Sequence, residues 1–121
     1  MAAVLIIEDQ QELREIYRLM LAQMGHQVAV APTGVEGLHQ LKNHPDLVIL
    51  DLSMPMASGD VVLGFIRSTP ELAGTRVLVV SAHPNAETLA EQLGADACLR
   101  KPVEFQEMAK TVNALLQPGA A

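Results

Sequence analysis

Asp46-Leu-Val-Ile-Leu-Asp51-Leu-Ser-Met-Pro55 holds four apolar residues in unbroken succession, an acid directly after them and a proline shortly beyond. An apolar run without polar alternation marks a strand buried on both faces, as in a parallel sheet. Pro55 breaks the run, so Asp51 falls where the strand ends and a turn begins. Other stretches have the same form. Val4-Leu-Ile-Ile7 runs into Glu8-Asp9, Arg76-Val-Leu-Val-Val80 into Ser81, and Ala97-Cys-Leu99 into Arg100-Lys101-Pro102; Gln27 to Ala31 is a further short strand.

Between these runs the apolar spacing turns helical. Glu12 to Met24 carries Leu13, Ile16, Tyr17, Met20, Leu21 and Met24 on one stripe, with Gly25 as its stop. Pro32-Thr33 opens a helix through Leu41, with Val35, Leu38 and Leu41 expected on the buried face. Thr33, with Glu36 three residues on, suits a cap, while Gly34 and Gly37 weaken the helix. Met54 to Ser58 reads as a loop with Ser58 as a candidate cap, followed by a helix from Gly59 to Ser68 with Val62, Phe65 and Ile66 inward. Asn85 to Leu93, ended by Gly94, and Val103 to Leu116, with Phe105, Met108, Val112, Leu115 and Leu116 apolar, complete five strand–helix pairs. That alternation implies an α/β fold with a parallel sheet covered on both faces, and the Asp46–Leu50 strand, as the most apolar, belongs at its centre. Alternation alone leaves the strand order open.

A chain of 121 residues suits one domain, and with half of them hydrophobic it can form a core without staples. Residues 1–117 are expected to form that domain and 118–121 a tail or the start of a linker. The lone Cys98 excludes an internal disulfide and suits a reducing compartment. A net charge of −6 argues against direct nucleic-acid binding, which needs a basic face. No apolar run approaches the roughly 20 residues of a membrane span, and Glu8 interrupts the first run too early for a signal peptide. A soluble cytoplasmic domain is the expectation. Aromatic residues are scarce, so stacking surfaces for bases or flavins are thin.

In an open parallel sheet the carboxyl ends of the strands converge on one edge, where ligands bind. That edge would collect Glu8, Asp9, Asp51, Ser81 and Lys101. Clustered carboxylates suit a hard divalent cation, and the lysine offers a mobile charge for a phosphoryl oxygen. Asp51 is the candidate nucleophile, since carboxylates form acyl phosphates in some phosphoryl-transfer proteins. Each residue alone has a plainer explanation. Glu8 and Asp9 could simply open a helix, Asp51 and Ser81 could cap turns, and Lys101 could be a surface lysine. His83 is taken as a loop residue, Cys98 as core, and His26, His39 and His44 lack metal-ligand spacing. Pro102 raises the chance of a cis peptide at Lys101-Pro102.

The ordered set of Glu8-Asp9, Asp51-Leu-Ser-Met-Pro55 with Gly59 after it, Ser81-Ala82 and Lys101-Pro102 closely resembles the receiver domain of two-component response regulators, over about Val4 to Leu116. The resemblance implies a flavodoxin-like, doubly wound five-stranded sheet of order 2-1-3-4-5 with five helices. It implies that Asp51 accepts a phosphoryl group from a histidine kinase or histidine phosphotransfer protein. Asp9, Asp51 and the backbone carbonyl of Ser53 are implied as direct ligands of Mg²⁺ (or Mn²⁺), with Glu8 acting through water. Lys101 is implied to contact the phosphoryl group, and Ser81 to be the switch hydroxyl. The face of the fourth helix, fifth strand and fifth helix is the implied output surface, for a downstream protein, an output domain or a homodimer. Such a domain is a switch, not an enzyme, beyond its own phosphorylation and dephosphorylation. One departure stands out. An aromatic residue often precedes the lysine by three positions in this family, and here that position is Cys98, so the aromatic part of the switch is missing or altered.

Three rivals differ in what they need. A degenerate receiver acting only as a protein-interaction module has no use for the intact acids, Ser81 and Lys101. A flavin carrier would place a Gly/Ser/Thr-rich phosphate loop after the first strand, where this chain has Glu8-Asp-Gln-Gln11. A hydrolase with an aspartyl intermediate would want a second acid near Asp51, where Ser53 stands.

Overall fold

The computed structural model describes residues 1–52 and 58–117. Among them β1 (Ala3–Ile7), α1 (Gln11–Gln23), β2 (Gln27–Ala31), α2 (Gly34–Gln40), β3 (Leu47–Leu50), α3 (Gly59–Ser68), β4 (Arg76–Ser81), α4 (Ala86–Leu93), β5 (Ala97–Arg100) and α5 (Phe105–Leu116) follow in order. Short 3-10 turns, Leu41–Asn43 and Pro70–Leu72, follow α2 and α3. The strands form one parallel sheet in the order β2-β1-β3-β4-β5. β3 is central, as its composition requires, with all four residues buried.

Alternation along the strands divides the core into two layers. Leu5, Ile7, Val48, Leu50, Val77 and Val79 face Val62, Leu63 and Ile66 of α3 and Ala86 and Ala90 of α4. Val4, Ile6, Leu47, Ile49, Leu78 and Val80 face Tyr17 and Leu21 of α1 and Met108 and Val112 of α5. A strand apolar on both faces is therefore filled from both sides. Gly25 and Gly94, in the left-handed region at φ 89° and 87°, end α1 and α4 as expected. The Thr33 hydroxyl caps α2 by accepting from the Glu36 N–H at 3.1 Å.

Helix phase is where the sequence reading needs correction. Leu38, and Leu41 just past the helix, pack on the core as expected, but the fully buried positions within α2 are Gly34 and Gly37, while Val35 is exposed. A Cβ on Gly37 would lie 2.5 Å from Ile7 Cδ1, so the helix seats its backbone on β1 and turns the β-branched residue outward. In α3 Leu63 takes the buried place expected of Phe65, which is 45 % exposed. Ile16 of α1 and Phe105 of α5 are likewise exposed. Ser58 does stand at the N-cap position of α3, but its hydroxyl engages the Asp60 carboxylate instead of a helix N–H.

Candidate functional site

The site grows directly out of the sheet register. β1 and β3 pair up to Ile7↔Leu50, and the Asp51 N–H donates to Ile7 O at 3.1 Å, one residue past the last rung. The Glu8 N–H donates to Ala31 O at 3.1 Å on the other side of β1. β4 and β5 pair up to Ser81↔Arg100, and the Lys101 N–H donates to Ser81 O at 3.1 Å. The ladder thus sets Glu8, Asp51, Ser81 and Lys101 side by side at one sheet edge.

Their side chains converge. Lys101 Nζ lies 2.8 Å from Glu8 Oε1 and 3.1 Å from Asp51 Oδ2. Glu8 is 2 % exposed and Asp51 5 %, and the Lys101 side chain 12 %. Lys101 is no surface lysine, and it is joined to Pro102 by a cis peptide bond. The second Glu8 oxygen accepts from the Gln10 N–H at 3.1 Å. Burial is the main influence on the Glu8 carboxyl and raises its pKa, against the opposing pull of Lys101 and the Gln10 N–H. Burial also works against the Lys101 ammonium, but its hydrogen bonds to Glu8 and Asp51 outweigh that and raise its pKa. The proton therefore stays on Lys101 at neutral pH.

Asp9 completes the acidic cluster, with carboxylate oxygens of Glu8, Asp9 and Asp51 all within 4.8 Å of one another. Three carboxylates stand against the Lys101 ammonium and the nearby Arg14 guanidinium, so negative charge is left over. Hard oxygen donors with surplus charge, open toward solvent at Asp9, fit a divalent cation such as Mg²⁺. Ser53, whose carbonyl the sequence reading adds to this set, lies outside the described residues, as does most of the Met54–Ser58 loop.

Ser81 is fully buried, and its hydroxyl accepts from the His83 N–H at 3.1 Å. The turn-capping explanation is thus correct for this conformation, and it shares the residue with the site. His83 lies in the loop after β4, as expected, and its Nδ1 accepts from the Asn85 N–H at 3.0 Å. Cys98 is half-buried on the edge strand β5, packed against the α4 side of the core. Burial, aided by the Glu87 charge, pushes its thiol up despite Arg100, which makes it a poor nucleophile.

Three residues around the site carry roles that sequence reasoning did not assign. Arg14 Nη1 donates to the carbonyls of Glu8 and Asp9 at 3.0 and 3.4 Å, tying the acid pair to α1. Its signal was a basic residue in the first turns of the helix that follows the acids. Gly59 N–H donates to Leu52 O at 3.1 Å, and a Cβ on Gly59 would stand 2.1 Å from Asp51 O, so α3 rests on the backbone of the central acid. Arg100, beside Ser81 in the sheet, reaches the carbonyls of His83 and Pro84. Strand alternation alone sends it away from Lys101.

Comparison with known proteins identifies the family and the fold. The family model described as the response regulator receiver domain matches residues 4–113. The chain is 32 % identical over 121 residues to the transcriptional regulatory protein AfsQ1 of Streptomyces coelicolor, covering 98 % of this chain and 53 % of that protein. It is 34 % identical over 124 residues to the transcriptional regulatory protein KdpE of Mycobacterium tuberculosis, covering 100 % of this chain and 54 % of that one. It thus spans about half the length of these curated relatives. Among solved structures, the chemotaxis protein CheY4 of Vibrio cholerae superimposes with a TM-score of 0.88 at 26 % identity, over 96 % of this chain and 99 % of that chain. A response regulator receiver domain protein from Clostridium thermocellum gives a TM-score of 0.87 at 28 % identity, over 96 % and 94 %.

Proposed function

The chain belongs to the response regulator receiver family of two-component systems, and on that premise we propose that it is a phosphoryl-accepting switch with Asp51 as the acceptor. Receiver domains of this family work with histidine kinases and with output domains. The observation that carries the reading is Lys101 Nζ, held between Glu8 and Asp51 at a buried, acid-lined strand end. Residues 1–117 are taken as the receiver domain and 118–121 as a tail or the start of a linker.

In the proposed reaction an Asp51 carboxylate oxygen attacks the phosphorus of a phosphohistidine on a kinase or phosphotransfer protein. The O–P bond forms as the P–N bond breaks, and the imidazole nitrogen keeps the electron pair and takes a proton. Lys101 orients the Asp51 carboxylate through Oδ2 and keeps its proton, so its ammonium is ready for the oxygens of the incoming group. Asp9 and Asp51, with Glu8 through water and the Ser53 carbonyl, would hold Mg²⁺ (or Mn²⁺). When bound, that ion supplies positive charge against the phosphoryl oxygens. Arg14 keeps the acid pair oriented through its backbone carbonyls. Ser81 would leave the His83 N–H and turn its hydroxyl to the phosphoryl group, shifting a pre-existing equilibrium of the segment that leads into α4.

Among the described residues no helix is long and apolar enough to cross a membrane. We place the domain in the cytoplasm, where kinase and phosphodonor are found. The partner that reads the change is an output domain or a downstream protein contacting α4, β5 and α5, a face that also suits a homodimer.

Intact mass after incubation with acetyl phosphate, with and without Mg²⁺, tests the proposal on wild type and Asp51→Asn. A Mg²⁺-dependent gain of one phosphoryl group, absent in the variant, is expected. No gain in folded protein would leave an interaction module that works without phosphorylation.

A further inference from the structure

The two consecutive basic residues at the end of β5 diverge: Lys101 turns into the acid cluster and Arg100 turns out over the segment after β4. Arg100 Nη1 donates to His83 O at 3.3 Å and Nη2 to Pro84 O at 2.8 Å, while Nε lies 3.3 Å from Glu87 Oε1 at the start of α4. One guanidinium therefore spans β5, the loop and α4. The same loop holds the Ser81 hydroxyl, since the His83 N–H donates to it. His83 is thus gripped at its carbonyl by Arg100 and at its amide by Ser81. Cys98, two residues before Arg100 on the same face of β5, has a single heavy atom beyond Cβ and no comparable reach.

We propose that Arg100 is a positioning residue for phosphoryl transfer: its fork across the His83 and Pro84 carbonyls keeps the loop in the form that occupies the Ser81 hydroxyl and so restrains phosphorylation of Asp51. This rests on the reading that Ser81 turns to the phosphoryl group. The physical basis is that Ser81 must give up the His83 N–H to reach any new partner, and a loop anchored at two successive carbonyls resists the shift. Guanidinium geometry matters, because its N–H groups are fixed in a plane and can meet both carbonyls at once, which a lysine ammonium does not do in the same way. The Glu87 contact adds little, with both side chains largely exposed at 48 % and 69 %. That exposure also means that substitutions at Arg100 leave the core intact.

The test measures the rate of phosphoryl uptake from acetyl phosphate with Mg²⁺, together with amide exchange at His83 and Asn85 in the unphosphorylated protein, for wild type, Arg100→Ala, Arg100→Lys and Glu87→Gln. Both Arg100 variants are expected to take up phosphoryl groups about threefold to tenfold faster, the scale of one partly exposed charge-assisted hydrogen bond. Their His83 and Asn85 amides should exchange faster, while Glu87→Gln stays close to wild type. Wild-type rates in Arg100→Lys would make the effect one of charge and overturn the proposal. Faster exchange with unchanged uptake in Arg100→Ala would overturn it as well. If the wild type takes up no phosphoryl group, the reading beneath the proposal fails. The anchoring of the loop then stands or falls with the exchange data, and unchanged exchange in Arg100→Ala rejects it.

Discussion

The Lys101 ammonium lies closer to Glu8, at 2.8 Å, than to Asp51, at 3.1 Å. The lysine is shared, and each carboxylate depends on it to be tolerated away from water. Removing one partner of a buried pair leaves the other charge uncompensated. Lys101→Met should therefore lower stability by about 1–3 kcal/mol in metal-free buffer, less than a deep-core pair because the edge is open on one side. Mg²⁺ should recover more stability in the variant than in the wild type. Thermal unfolding with and without Mg²⁺ measures both, and equal Mg²⁺ responses would show that the acids do not share the lysine's charge with a cation.

Glu8 gives a prediction in pH. Its folded pKa is raised above the ordinary 4.5, so the stability it contributes is fully present below that value and is lost as pH rises through the folded one. At neutral pH the ionised Glu8 is a net burden on the apo fold. Glu8→Gln should raise Tm in metal-free buffer at pH 7 by up to about 5 °C for a domain of this size. The gain should shrink toward zero as pH falls to the ordinary carboxylate range, and the variant should bind Mg²⁺ more weakly. A gain that is the same at pH 4 and pH 7 would place its origin outside the ionisation of Glu8.

Two glycines of α3 should respond in opposite directions. A Cβ at Gly59 would collide with the Asp51 carbonyl oxygen at 2.1 Å and with Leu52 Cα at 2.5 Å, both backbone atoms that yield little. A Cβ at Gly64 meets nothing within 4 Å. Gly59→Ala should cost about 1–3 kcal/mol and slow phosphoryl uptake by moving Asp51, the proposed acceptor. Gly64→Ala should stabilise by about 0.5–1 kcal/mol through helix propensity, with uptake unchanged. Denaturant unfolding and the acetyl phosphate assay separate the two.

The phase of α3 can be checked in the same way. Leu63→Ala opens a cavity between α3 and the sheet and should cost about 2–5 kcal/mol. Phe65→Ser acts on a side chain that is 45 % exposed and should cost less than about 1 kcal/mol. Urea midpoints in the reverse order would restore the inward Phe65 that the sequence suggests.

That pair of residues shows what the chain reveals before folding and what it withholds. Strands buried on both faces leave no choice of phase: Val4–Ile7, Leu47–Leu50 and Val77–Val80 are apolar throughout, so strand and site position follow from the same run of letters. Helices apolar on more than one side do leave a choice. Val61, Val62, Leu63, Phe65 and Ile66 allow two buried stripes, and the close approach of Gly59 to Asp51 goes with the one that buries Val62, Leu63 and Ile66. In α2 the contact face is shared between Leu38 and two glycines, and a hydrophobicity pattern cannot register the glycines. The positions of the acids, Ser81 and Lys101 were legible because each lies within two residues of the end of an apolar run. Arg14 and Arg100 were not, since the hydrogen bonds that tie them to the site go to backbone carbonyls, which carry no side-chain signature.

The two-sided burial of β3 separates the molecule into tiers of opening. Backbone hydrogen bonds in a central strand exchange only when most of the fold comes apart, whereas bonds held by exposed side chains break in small local fluctuations. Asp51 is anchored to the first kind through the Ile7 carbonyl. The His83–Asn85 segment is held largely by the second kind, through Arg100 and the His83 ring, with the buried Ser81 hydroxyl at its base. In the proposed switch, chemistry at Asp51 would thus be performed by a slow, stiff element and reported by a fast, soft one, with the strand-end edge acting as a gearbox between the two timescales.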